Sequence, residues 1–366
     1  MPASSRPLTI AALLALGLTL SPPPAAAGLF DAVLDAAKEA AKTVGDGVAG
    51  ATGGPGPAAP ADLPPPFDFG SEARSQAAGY VETARASNFK EVKKVGIVNF
   101  SVEFALFKEA SAVGGAIGGR GSTSTSSISM QIPPPDVARL QAIVDRLYRQ
   151  VQQDFTAMGI EVVPFETLKA TRNYAELAPA QHASPWLTET RDSQSVFIAP
   201  TGMPLYMDNP ERADVLKQLG LTFGTNTRMK EVMMTYDLKQ EVHLLSVNMV
   251  VDFASLGSSG SSRIFAARTS GASLHHLHAG NTSYRFVSTT QPEFVLVKLK
   301  KPVVSDRNLV ADGSTTTERG GSIDGRTTET VTRSAGRFDS AAYYQRSEDM
   351  LQATRQMFTA ALGATR

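Results

Sequence analysis

The sequence predicts an α/β (α+β) fold: a mixed β-sheet flanked by helices, with long paired strands in its second half and two polar excursions. Three observations carry this. Val95 to Phe107 alternates apolar and polar side chains over the length of a long strand. Segments 136–158 and 339–362 repeat apolar residues at helical spacing. From Leu221 to about residue 300, strand-like runs follow one another.

The elements are taken in chain order. Met1 to Pro7 carries one cation, Arg6, and Leu8 to Leu20 is an uncharged apolar run too short to span a bilayer. Ala25 and Ala27 then offer an A-x-A cleavage site, so residues 1–27 are expected to be a signal peptide and the protein periplasmic or secreted. Residues 28–50 follow as an amphipathic helix with Leu29, Phe30, Val33, Leu34, Ala37, Ala41 and Val44 on one stripe. Its Lys38 and Lys42 are balanced by Asp31, Asp35 and Glu39, which removes the usual polybasic attraction to a membrane. Peripheral membrane contact through residues 28–45 is the only membrane contact left open. Residues 51–70 are rich in Pro, Gly and Ala and read as a tether. A single domain, 71–366, is expected beyond it, opening with a helix over Ser71 to Ser87.

Within that domain, Val98, Phe100, Val102, Phe104 and Leu106 line one face of the first strand. Asn99, Ser101 and Glu103 line the other, which is expected to face solvent. The Gly- and Ser-rich stretch 113–132 reads as a flexible excursion. Pro133 to Asp136 opens a helix with Val137, Leu140, Val144, Leu147, Val151, Phe155 and Met158 on one stripe, ended by Gly159. Then come a short strand at 160–165, a helix at 166–174, a strand at 195–199 and a helix at 211–219. Five strands follow: 221–237, 239–255, 262–270, 281–290 and 292–300, with a hairpin turn at Asp237 to Gln240 between the first two. The polar stretch 305–337 reads as a second excursion, a solvated hairpin or mobile loop. The closing helix, 339–362, repeats Tyr343 and Tyr344, Met350 and Leu351, and Met357 and Phe358 every seven residues.

Composition narrows the function. The chain is 42% hydrophobic, 19% charged and formally neutral, which argues against nucleic acid or an anionic membrane as the main partner. It has no cysteine, which removes disulfides, thiolate metal sites, a cysteine nucleophile and a lipid anchor at the cleavage site. Gly114 and Gly119 have P-loop spacing, but Arg120 and Gly121 stand where Lys and Ser or Thr are required. Gly257 to Gly260 does not fit a nucleophile elbow, and no two carboxylates are marked as an acid and base pair. No catalytic residue and no cofactor is therefore assigned. Three of the five histidines cluster at His275, His276 and His278; in an extended chain His276 and His278 share a face and can supply two corners of a zinc or copper site. Trp186 reads as a hydrophobic anchor in a Pro-containing connection, with stacking on a ligand as the alternative.

A strand of the form KVGIVNF, a helix ending in L-x-x-x-F and Gly, IEVVP, a later QLGLTFG, long paired strands and a terminal YY-x-x-x-x-x-x-L helix make up an ordered series. Over roughly residues 92–362 it resembles the periplasmic domain of curli-secretion-channel (CsgG-like) proteins and the amino-terminal domain of TolB. The resemblance implies an oligomeric secretion channel or a non-enzymatic envelope adaptor. A membrane hairpin needs an outward apolar face, and Ser122 to Ile132 is apolar only at Ile128, Met130 and Ile132, which argues for a projecting arm and against a pore. The function expected is an exported non-enzymatic scaffold that contacts an envelope protein or itself. The alternatives are a periplasmic small-ligand or metal-binding protein using the histidine cluster, and an exported hydrolase without a recognisable motif.

Overall fold

The computed structural model describes residues 64–115, 123–190, 192–206, 227–261, 266–307, 309–321 and 327–366. All of them belong to one unit, Ala49–Arg366. The signal peptide, the 28–50 helix, most of the 51–70 tether, the 211–219 helix and residues 116–122 of the first excursion lie outside the described residues. Among these, no helix is long and apolar enough to cross a membrane.

The tether's last residues are already part of the domain: Phe67 is buried, donates its N–H to the Val304 carbonyl, and meets Phe69 and Tyr80 edge to face. The helix expected over Ser71 to Ser87 is replaced by a 3-10 turn (Ala73–Gln76), a single helical turn α1 (Ala77–Tyr80) and strand β1 (Val81–Ala84). Gly79 weakens the helix, and β-branched Val81 and Thr83 find ladder partners farther along the chain, which local pattern cannot show.

Strand β2 (Lys94–Gly115) is longer than its alternating core and returns as β3 (Thr123–Gln131). Helix α2 (Val137–Ala157) begins where Asp136 accepts the Arg139 N–H and ends at Gly159, whose φ is +70°. Next come β4 (Glu161–Val163), helices α3 (Phe165–Lys169) and α4 (Arg172–Ala175), and strands β5 (Trp186–Glu189) and β6 (Ser193–Ile198). A side chain at Gly96 would meet the Leu168 side chain of α3 at 2.6 Å, so any larger residue at this crossing would force Leu168 to move.

One correction concerns the stretch read as a strand from Leu221. Its described part is helix α5 (Thr227–Asp237). Thr227, Glu231, Val232, Met234 and Thr235 are buried, a helical spacing, and the polar members hid it from a hydrophobic count. The turn expected at Asp237 to Gln240 exists, with Lys239 and Gln240 at positive φ, but it joins a helix to a strand and makes no hairpin.

The strands that follow are β7 (His243–Ser261), β8 (Ala266–Leu277), β9 (Ser283–Val287), β10 (Val295–Leu299), β11 (Val303–Val304), β12 (Val310–Gly321) and β13 (Thr327–Phe338). The chain closes with α6 (Ser340–Gly363), capped by Asp339 on the Ala342 N–H. Among the described residues thirteen strands form one mixed sheet with the path β1-β10-β9-β7-β2-β3-β13-β12. In the described parts of both excursions, 113–132 and 305–337, β2 pairs antiparallel with β3 and β12 pairs antiparallel with β13.

One face of β2, β7 and β9 packs under α2 and α6. Phe100, Val102, Phe104, Val247, Met249, Val251, Tyr284 and Phe286 meet Leu140, Leu147, Phe155, Tyr343, Met350 and Phe358 there. The heptad pairs of α6 are all buried in this layer, and Ser347, Ala353 and Thr354 between them are buried too.

Candidate functional site

Residues directly opposite in a ladder share a face, so the registers define the second face of the central strands. Asn99 of β2 lies beside Ser246 of β7, which lies beside Arg285 of β9; one step on, Ser101 lies beside Asn248 and Ser283. This polar face was expected in solvent. That expectation is corrected: Asn99 is 0% exposed, Ser101 and Glu103 are 4% exposed, and Ser246 and Arg285 are buried too. The reason is cover from distant segments: α3, α4 and α5 pack Leu168, Tyr174, Val232 and Met234 against Val98, Leu244 and Val287. A β-bulge at Val98 itself changes the strand's parity, which sends Val98 to this second core while Phe100 stays in the first.

Helix α5 lays Glu231 on this face. Arg285 Nη2 donates to Glu231 Oε2 at 2.6 Å, and Tyr206 Oη and Ser246 Oγ both donate to Oε1, at 2.7 and 2.8 Å. Arg285 Nη1 donates to the Pro292 carbonyl. Both ions are almost wholly buried, so removing one would strand the other without solvent. Asn99 differs, because neither its Nδ2 nor its Oδ1 has a hydrogen-bond partner. The sequence hints at the row only through three polar residues in an apolar strand; nothing links Glu231 to Arg285, 54 positions later.

At the far end of the row, Asp252 accepts Lys108 Nζ at 2.6 Å and the N–H groups of Phe253 and Ala254. The register shifts here, and β7 leaves β2 to pair with β8. The histidines lie at this root. His275 turns to the helix-covered face: its Nε2 is 3.0 Å from Ser347 Oγ of α6, its ring stacks on Tyr343, and burial lowers its pKa to about 3, so it is neutral. His276 lies opposite Asp252, where burial lowers its pKa against the opposing charge of Asp252. The rings of His276 and His278 are 6.3 Å apart. Among the described residues no three His, Cys, Asp or Glu side chains converge to hold a metal ion.

Beyond this root the strands form three ribbons. β2 and β3 share nine register pairs from Phe107 to Gly115, β7 and β8 eight from Ala254 to Ser261, and β12 and β13 eight from Ser314 to Gly321. Each is about 25–30 Å long. β13 runs parallel to β3, so the two outer ribbons join into one four-stranded blade in the order β2-β3-β13-β12. Among the described residues β12 has a ladder partner on one side only, and β8 gains just the two-residue β11 on its outer side.

The remaining sequence candidates resolve into structure. The Trp186 ring stacks on His182 at 3.9 Å and packs on Phe197, a hydrophobic anchor. Gly257 to Gly260 is part of β7. A cleft of about 360 Å³ is lined by Gln141, Ser184, Thr201 and Met203 among others. The nearby carboxylate of Asp145 is engaged by the N–H and hydroxyl of Thr201 and by Gln141, and Ser184 Oγ accepts the Ala199 N–H. No family model, curated protein or solved structure matches this chain.

Proposed function

We propose that this protein is an exported, non-enzymatic envelope scaffold that self-associates, or takes up an envelope partner, by adding strands to the open edges of its ribbons. The observation that carries this reading is β12: twelve residues at the end of the sheet path, with a ladder on one side only among the described residues. An unpaired row of N–H and C=O groups is a template for another strand. Thr315, Thr316 and Thr317 favour extended backbone there, and the segment also carries Asp312, Glu318 and Arg319, charged residue types that limit indiscriminate strand pairing. The signal-like residues 1–27 support a periplasmic or secreted site of action, and the patterned resemblance to the CsgG-like and TolB domains supports an envelope role.

Light scattering on the purified protein, with cross-linking in the envelope, tests the reading. Association or a captured partner is expected, lost when residues 312–336 are replaced by a tight turn while the thermal midpoint stays within a few degrees. A strict monomer that captures nothing, or unchanged association without the hairpin, would sink it.

A further inference from the structure

We propose that His276 and His278 chelate a divalent transition-metal ion of the Cu2+ or Zn2+ class at the root of the β7–β8 ribbon. This stands apart from the scaffold reading. The two residues are two apart in an extended segment: His276 pairs with Asp252, and the His278 N–H continues the ladder to the Val250 carbonyl. Alternation therefore puts both rings on one side of the ribbon and His275 on the other.

Which ring nitrogen is free is also fixed. His276 Nδ1 lies 2.8 Å from the Leu274 carbonyl, and His278 Nδ1 lies 2.5 Å from the Ala279 carbonyl. A carbonyl can only accept, so each Nδ1 carries the proton and each Nε2 holds a lone pair. A backbone acceptor on the other nitrogen is the arrangement that orients metal-ligating imidazoles. Among the described residues neither Nε2 has a hydrogen bond to compete, and the His276 side chain is largely buried while His278 is exposed.

The spacing fits one ion. With metal–nitrogen bonds of about 2.0–2.1 Å, two rings on one ion have centroids about 5 Å apart at a tetrahedral angle and at most about 6.4 Å apart. The 6.3 Å seen is inside that limit, and a swing of about 1 Å by exposed His278 reaches the tetrahedral value. The Asp252 carboxylate is occupied by Lys108 and two N–H groups, so it contributes charge nearby without being a ligand. Two protein ligands leave the other positions to water, and imidazole ligands without carboxylate favour Cu2+ over Zn2+ and exclude Mg2+.

Calorimetric titration of the untagged protein with CuCl2, ZnCl2 and MgCl2 decides it, with electron paramagnetic resonance on the copper sample. One equivalent of Cu2+ with imidazole nitrogen couplings is expected, weaker Zn2+ binding, and no Mg2+ response. His278→Ala, at an exposed position that keeps the fold, should weaken Cu2+ binding about tenfold or more, while His182→Gln leaves it unchanged. No saturable Cu2+ binding, or equal binding by His278→Ala, would overturn the proposal.

Discussion

The two faces of β2, β7 and β9 are both buried, yet they are stabilised by opposite means. Under α2 and α6 the strands present Phe100, Phe104, Val251 and Phe286 to an apolar layer, where burial is non-directional and adjacent groups can relax. On the other side the same strands present Asn99, Ser246 and Arg285, where each polar group depends on a particular partner. Burial therefore says little about what holds a residue in place. The apolar face tolerates change in proportion to the volume lost, and the polar face responds to whether a pair is broken or removed whole.

The largest effects test that contrast at equal depth. Phe100→Ala should lower stability by about 3–5 kcal/mol in urea denaturation, and no second substitution nearby should restore it short of refilling the volume. Arg285→Met should cost about as much, 3–5 kcal/mol, because Glu231 is left charged in the interior. Here the double variant Arg285→Met with Glu231→Met should recover most of the loss; failure to recover would mean the polar face depends on the ions for more than mutual compensation.

The next test uses pH. The His275 imidazole protonates near its ordinary 6.5 in the unfolded chain and near 3 in the folded one, since burial and the charges of His276 and Arg346 oppose its cation. The folded state thus binds fewer protons in that window, so its stability is full above pH 6.5 and is lost as pH falls toward 3. His182 and His243, also lowered by burial, add in the same direction. Denaturation midpoints measured from pH 7 to pH 4 should fall steadily, and less steeply in His275→Gln. The smallest effect expected is of opposite sign. Asn99→Leu removes two buried unpaired polar atoms and should stabilise the protein by about 1 kcal/mol; destabilisation would show that the amide has a partner.

Much of the fold was legible because its signals are local. The stripes of α2 and α6 with their Asp caps, and the alternation of β2 and β7, each lie within a dozen or two residues. The face of most β2 residues was legible too, Val98 excepted because a bulge breaks the alternation there, but their exposure was not. Asn99, Ser101 and Glu103 were assigned to the correct side, and what covers that side arrives about 70 to 140 residues later in α3, α4 and α5. Helix α5 itself was misread because Thr227, Glu231 and Thr235 are buried polar residues, which hydrophobic periodicity does not count. At the histidines, alternation separated His276 and His278 from His275. The carbonyl partners that fix their tautomers depend on backbone geometry and have no signature in the sequence.

β2 runs for 22 residues without interruption, from the covered body into the outer blade. It lies parallel to β7 through the body, so both ribbons leave in the same direction. A tension applied at the β2–β3 ribbon alone, with the body held, would act along β2 and load its parallel ladder to β7 in shear. The body is thereby the anchorage of a stiff lever.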